Sequence, residues 1–263
     1  MTGPFGRRRL EVAENREVGA YRVLLAPDPD GPAPAPGQFY MLAATERWGG
    51  GEEERPFLPR AFSVLRASER GLEFMVEDVG PGTRRLCELR PGDGLWVTGP
   101  LGIGFTAPDE GRRALLCGGG VGVAPLAIWQ DALLDVGEQA PALVGFRDGA
   151  HAEGASLLRA GQVATDDGSA GHHGLVTELL AAALAADPHR TIYACGPPAM
   201  LEAVRAICAD CGVPAQLALE SGMACGFGAC FGCVVSTADG SYIRICVDGP
   251  VIEAGRLAEV PSN

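Results

Sequence analysis

Four cysteines near the C-terminus follow the pattern Cys225-x4-Cys230-x2-Cys233-x12-Cys246. The first three spacings are those of a plant-type [2Fe–2S] site. A loop that wraps a cluster must turn tightly and aim backbone N–H groups at sulfur, and Gly226, Gly228 and Gly232 permit both. Structural zinc is the rival reading. Zinc sites usually pair two C-x2–4-C knuckles, however, and here the second half supplies a single cysteine. As mere packing residues, four cysteines in a glycine-rich, weakly hydrophobic loop would be out of place.

A second segment with chemical potential is Gly118-Gly-Gly-Val-Gly-Val-Ala-Pro-Leu126. It carries G-x-G-x-x-P at Gly120, Gly122 and Pro125, after a strand-like run and at the start of a helix-like one. Glycines let backbone approach a pyrophosphate, a helix N-terminus supplies N–H groups, and proline there loses no hydrogen bond. Tight strand–helix packing would produce the same composition. At the next strand end, Asp148 would suit the free 2′-hydroxyl of NAD and Arg147 the 2′-phosphate of NADP, with the balance leaning to NAD. The loop Cys195-Gly196-Pro-Pro-Ala-Met200 falls at another strand end, where Cys195 either lines a nicotinamide pocket or simply packs.

The third segment is Arg60-Ala61-Phe62-Ser63. Arg60 would hold a pyrophosphate bidentately, and Ser63 would reach a flavin ring atom. Gly80-Pro-Gly-Thr-Arg84 reads as a turn presenting N–H groups and the Thr83 hydroxyl to the same phosphates. Alone, both are ordinary barrel sequence. Electron counting gives them weight: nicotinamide moves two electrons as hydride, an iron–sulfur cluster moves one, and flavin joins the two regimes.

The elements that must position these residues fall into three parts. Short apolar or alternating runs at 21–25, 38–43, 61–65, 72–77 and 95–98, broken by Pro/Gly turns, predict an N-terminal antiparallel β-barrel over 1–107. Trp48–Glu54 reads as a mobile surface loop. Strand-like runs at 114–117, 142–146 and 191–194 alternate with helix-like stretches at 125–136, 175–186 and 199–211. That alternation predicts a parallel α/β domain over 108–214. Residues 215–263 have little periodicity and need a staple, which the cysteines supply.

Composition narrows the classes. The 263 residues are 47% hydrophobic and 21% charged, an ordinary globular balance. The net charge is −12, with arginine as the only basic residue type among the 21, and so acidic a chain would repel a phosphate backbone. No apolar run is long enough to span a bilayer, and Met1–Leu10 lacks a signal region. Neither nucleic acid nor membrane is therefore expected. Nine cysteines, an odd number, do not form a secreted disulfide framework. With Cys87, Cys117, Cys208 and Cys211 read as reduced packing residues, a cytoplasmic location is expected.

Together the barrel with R-x-x-S, the G-x-G-x-x-P domain with C-G-P-x-x-M, and the cysteine segment resemble the ferredoxin–NADP reductase superfamily. Leu219-Glu-Ser-Gly-Met-Ala-Cys-Gly-Phe-Gly-Ala-Cys-Phe-Gly-Cys233 and Cys246-Val-Asp-Gly-Pro-Val251 are similar to the electron-transfer subunits of NAD-dependent dihydroorotate dehydrogenases. The resemblance implies a separate FMN-containing catalytic subunit that oxidises dihydroorotate in pyrimidine synthesis. Electrons then pass through [2Fe–2S] and FAD to NAD, in a heterotetramer of two subunits of each kind. It further implies that Arg60, Ala61, Phe62, Ser63, Met75, Val76, Glu77, Gly82 and Thr83 contact FAD. Gly120, Gly122, Pro125, Cys195 and Gly196 are the residues expected at NAD, and Cys225, Cys230, Cys233 and Cys246 at the cluster. No base for dihydroorotate oxidation is evident in this chain, in keeping with a separate partner. Ferredoxin–NADP transhydrogenase and sulfhydrogenase-type subunits share the same layout and are the alternative.

Overall fold

The computed structural model describes residues 6–49, 56–159 and 161–261; residues 50–54 of the expected mobile loop lie outside them. The N-terminal part contains β1 (Arg8–Glu11), β2 (Glu14–Val18), β3 (Tyr21–Ala26), β4 (Phe39–Ala44), β5 (Arg60–Ser68), β6 (Gly71–Glu77), helix α1 (Pro81–Cys87) and β7 (Gly94–Leu101). The strands join in the order β1-β7-β4-β5-β6-β3-β2, each pair antiparallel. The sheet curls around a single core to which Leu10, Leu24, Tyr40, Val64, Phe74 and Val97 all contribute. Burying a side chain such as Phe74 is worth about 1.5–3 kcal/mol.

The middle part contains β8 (Arg113–Gly119), α2 (Val123–Asp135), β9 (Ala142–Phe146), α3 (Gly149–Ala152), β10 (Gly161–Thr165), β11 (His172–His173), α4 (Val176–Ala186), β12 (Arg190–Cys195) and α5 (Pro198–Cys211). Then follow β13 (Ala215–Ala218), the hairpin β14 (Val234–Ser236) and β15 (Tyr242–Arg244), α6 (Ile245–Asp248) and β16 (Val251–Glu253). The second sheet runs β11-β10-β9-β8-β12-β13-β16, parallel except for β16. Successive connections leave β8 first to one side and then to the other. Ligands of such sheets bind outside the carboxyl ends of the strands at that reversal.

Two expectations need correction. The sheet crosses the boundary expected after residue 214, because β13 and β16 both pair within it. Gly80–Arg84 is not a free turn: Pro81 opens α1, Arg84 N–H donates to the Gly80 carbonyl at 2.8 Å, and Thr83 caps the start. Proline needs no amide partner in a first helical turn, which is why the turn-like composition begins a helix.

Helix α2 fastens the two sheets together. It is buried on nearly every side, from Val123 to Gln130, because one face meets β8 and β12 and another meets β5. The buried Gln130 amide is fully occupied: it donates to the Ala140 and Arg159 carbonyls and accepts from Arg159 N–H, each at 2.7 Å. Arg66 of β5 adds a cross-link, donating to Asp131 at 2.8 Å and to the Leu157 carbonyl at 2.6 Å.

Candidate functional site

A cavity of about 860 Å³ lies between the two sheets. From the antiparallel sheet come Arg60, Ala61, Phe62 and Ser63 of β5 and Met75 and Glu77 of β6, with Thr83 of α1. Val76 stands between two of these positions and turns into the barrel core instead, as strand alternation requires. Arg60 donates to the Leu58 carbonyl at 2.6 Å, and its guanidinium stands 6.0 Å from the Trp48 ring centre. Gly82 does not line the cavity. A Cβ there would lie 2.8 Å from Arg60 Nε, so its absence lets the guanidinium rest across α1. A cavity of this volume, lined by an arginine, hydroxyls and apolar side chains, fits a flavin dinucleotide.

The opposite wall was not anticipated from sequence. Leu219, Glu220, Ser221, Gly222, Met223 and Ala224 line it, together with Cys195. Glu220 opens to the cavity with protein on most other sides. Burial, with a smaller push from Glu77, raises its carboxyl above the ordinary value. Burial also holds the Cys195 thiol well above its ordinary range, so it is a neutral wall residue. The motif around Cys225 drew attention to sulfur, and the run just before it carried no spacing signal of its own.

A second cavity of about 460 Å³ opens at the carboxyl ends of β8, β9 and β10. Gly120 lines it with φ +53°, and a Cβ there would face open space with only the Tyr21 hydroxyl near, at 3.9 Å. That hydroxyl is buried and has no hydrogen-bond partner among the described residues. Left-handed backbone beside an open cavity and an unpartnered donor suits a phosphate-bearing nucleotide. Gly122, Pro125 and Gly196 lie outside this lining. A Cβ on Gly122 would strike the Cys195 carbonyl, one on Gly196 would come within 2.7 Å of Met200 Cε, and Pro125 is buried in the first turn of α2. These three bring the two strand-end loops together. Asp148 also departs from expectation. It accepts from His151 N–H at 3.0 Å as the cap of α3 and is not a cavity residue.

The four motif cysteines lie in two pairs. Cys233 and Cys246 sulfurs stand 3.2 Å apart, and the Cys225 and Cys230 thiols are within hydrogen-bonding reach of each other. Burial alone would raise the Cys225 thiol. The Phe227, Cys230 and Ala229 N–H groups and the Cys230 thiol outweigh it and bring the value to about 6. Gly232 N–H points at Cys230 sulfur, and Cys246 N–H at Cys233 sulfur, each at 3.5 Å. Among the described residues, no three His, Cys, Asp or Glu groups converge on one metal-ion position. Two pairs of thiols ringed by amides suit a cluster of two irons. Phe231 takes φ +58° to make the tight Cys230–Cys233 turn, with Arg244 over its ring at 5.3 Å. All nine cysteines are free thiols. Cys117 and Cys208 are buried as expected, but Cys211 is exposed at the end of α5.

A curled antiparallel sheet beside a parallel α/β sheet, with cavities for flavin and dinucleotide and a cysteine loop, defines the ferredoxin-reductase class of flavin and nicotinamide oxidoreductases. The structure is similar to a chain of an NADH-dependent reduced ferredoxin–NADP oxidoreductase, at 25% identity with a TM-score of 0.79, covering 95% of this chain and 90% of that one. It is also similar to the ferredoxin reductase of carbazole 1,9a-dioxygenase, at 25% identity and a TM-score of 0.63, covering 79% and 66%. Residues 220–258 match the iron–sulfur cluster binding domain of dihydroorotate dehydrogenase B.

The chain belongs to the family of dihydroorotate dehydrogenase B (NAD(+)) electron transfer subunits. It is 34% identical to the member from Caldanaerobacter subterraneus subsp. tengcongensis, covering 94% of this chain and 97% of that protein. It is 38% identical to the one from Geobacillus sp. (strain WCH70), covering 85% and 86%. Its cofactors are accordingly FAD, a [2Fe–2S] cluster and NAD. No helix among the described residues is long and apolar enough to cross a membrane.

Proposed function

We propose that the chain relays electrons to NAD from a separate FMN-containing subunit that oxidises dihydroorotate to orotate in pyrimidine synthesis. The complex in this reading is a cytoplasmic heterotetramer of two chains of each kind, and the dihydroorotate site belongs to the partner. When bound, the [2Fe–2S] cluster carries single electrons, FAD converts between one- and two-electron transfer, and NAD takes up hydride.

The chain's own residues position these groups. Arg60 and Thr83 hold the FAD phosphates, with Gly82 giving the arginine room. Ala61, Phe62, Ser63, Met75 and Glu77 line the flavin, and Val76 fixes the strand between them. Gly120 meets the NAD pyrophosphate, Gly122 and Pro125 shape that turn, and Cys195 with Gly196 closes the nicotinamide end. Cys225, Cys230, Cys233 and Cys246 hold the cluster.

The observation that carries the reading is covalent continuity. Ala224 lines the cavity between the two sheets, and the next residue, Cys225, opens the C-x4-C-x2-C run that in this reading holds the cluster. Around the cysteine loop, Phe231 and Tyr242 are 64% and 74% exposed, and Phe227, Val234 and Val247 are also open. Such apolar surface supports a protein partner at the cluster end. The structural likeness to a ferredoxin–NADP oxidoreductase chain favours, as a second reading, a transhydrogenase or sulfhydrogenase-type complex. Co-purification with the native partner decides. Dihydroorotate-dependent NAD reduction that needs both subunits is expected, and a partner without FMN or without dihydroorotate oxidation overturns the reading.

A further inference from the structure

Tyr21 begins β3, a strand of the antiparallel sheet, yet it lines the nucleotide cavity at the carboxyl ends of the parallel strands. Its side chain is 1% exposed and packs in a core with Val123 and Ala124 of α2 and Phe146 of β9. The ring is held from two sides. His151 meets it edge-on with ring centres 5.5 Å apart, and Gly154 leaves room for it, since a Cβ there would lie 3.0 Å from Tyr21 Cε2. A ring so held fixes where its oxygen stands. That place is beside the Gly120 turn, where a Cβ on Gly120 would lie 3.9 Å from the hydroxyl.

The charged groups around the hydroxyl are engaged with one another. Arg147 donates to Glu77 at 3.0 Å, His151 Nε2 stands 3.2 Å from Glu77, and His151 Nδ1 stands 2.6 Å from Asp148. The Tyr21 oxygen takes part in none of these contacts and has no hydrogen-bond partner among the described residues. Burial, with a smaller push from Glu77, raises the phenol above its ordinary value, so it stays a neutral O–H donor. A buried donor without an acceptor destabilises the fold that contains it, and an acceptor arriving in the cavity relieves the strain. Gly120 opens the turn that leads into α2, where backbone N–H groups receive an anion. A pyrophosphate offers acceptor oxygens and no donor, which matches both the turn and the unpaired O–H.

We propose that the Tyr21 hydroxyl donates a hydrogen bond to the pyrophosphate of NAD, so that a residue of the flavin-binding sheet completes the nucleotide site from across the domain boundary. This rests on the electron-transfer reading and adds a binding group to its nucleotide cavity.

The test uses the full-length chain loaded with FAD and cluster, with NADH-driven reduction of ferricyanide. Tyr21→Phe removes the oxygen and keeps the ring. Loss of a hydrogen bond to a charged acceptor corresponds to roughly 10–100-fold, so KM for NADH should rise by about tenfold or more, and kcat should fall by much less. Competition against NADH gives a readout free of hydride chemistry. ADP-ribose, which keeps the pyrophosphate and lacks nicotinamide, should lose affinity by the same factor, whereas adenosine, which has no phosphate, should not. Without nucleotide the variant should melt no lower than the wild type, because it has shed an unmatched buried donor, and saturating NAD should raise its melting temperature less. Equal KM and equal ADP-ribose inhibition in wild type and variant overturn the role of Tyr21 alone. An equal loss for adenosine and ADP-ribose overturns the assignment to pyrophosphate. A wild-type holoprotein that does not oxidise NADH overturns the underlying reading as well.

Discussion

Cys246 N–H points at the sulfur of Cys233, thirteen positions earlier, and the two sulfurs lie 3.2 Å apart in a buried site. Cys225 and Cys230 form the other pair nearer the surface, Cys230 being exposed. The cysteine cluster thus has a buried side and an accessible one.

Replacing the accessible side separates two activities. Cys230→Ser should lose the iron–sulfur absorbance and the acid-labile sulfide while keeping FAD. Electron transfer from the partner should vanish, and NADH-driven reduction of an artificial acceptor should persist. Unchanged transfer from the partner would refute the ligand assignment.

Arg60 offers the charge at the flavin cavity, and its guanidinium is braced by the Leu58 carbonyl. Arg60→Ala should weaken FAD binding by roughly 10–100-fold, the worth of one or two charge-assisted hydrogen bonds. Flavin content after gel filtration and a titration with free FAD measure it. Full retention of FAD would remove Arg60 from the site.

Two glycines of one loop should fail in different ways. Gly122→Ala drives a methyl into the Cys195 carbonyl and should cost about 1–3 kcal/mol of stability. Gly120→Ala meets open space but asks alanine to hold φ +53°, at about 1–2 kcal/mol, and it should also raise KM for NADH because that turn faces the cavity. Thermal unfolding and NADH kinetics on the two variants distinguish a packing glycine from a ligand-facing one.

Glu220 predicts a pH dependence of known sign. Burial, then Glu77, raises its carboxyl above the ordinary 4.5, so the folded state holds the proton more tightly than the unfolded chain. Its charge therefore costs stability increasingly as pH rises past 4.5. Glu220→Gln should unfold at a higher temperature than the wild type at pH 7, with the difference gone near pH 4. A lower melting temperature at pH 7 would contradict this environment for the carboxyl.

The parts of this fold that were legible in sequence are those buried on a regular period. Strands β3 to β7 alternate or run apolar, and β8, β9 and β12 are continuous apolar runs. Strands β1 and β2, with sequences RRLE and ENREV, escaped because they are charged edge strands whose pairing is carried by backbone. Strand β10, GQVAT, escaped because it is short and polar at its exposed start, with a single valine and no alternating apolar run to mark it. The iron–sulfur domain was legible because the cysteine spacing alone encodes it. The Leu219–Ala224 wall was not, since its role arises only where two sheets meet across a cavity.

Residues 219–250 leave the parallel sheet after β13 and re-enter it at the neighbouring β16, with Ala218 paired to Val251 and Leu219 N–H bonded to the Pro250 carbonyl at 2.9 Å. The cysteine-bearing excursion is therefore closed at its root by backbone pairing that needs no iron. That pairing holds the two ends of the excursion together independently of the cysteines, so the chain-closure entropy left to the metal-binding step is that of the cysteine loop alone.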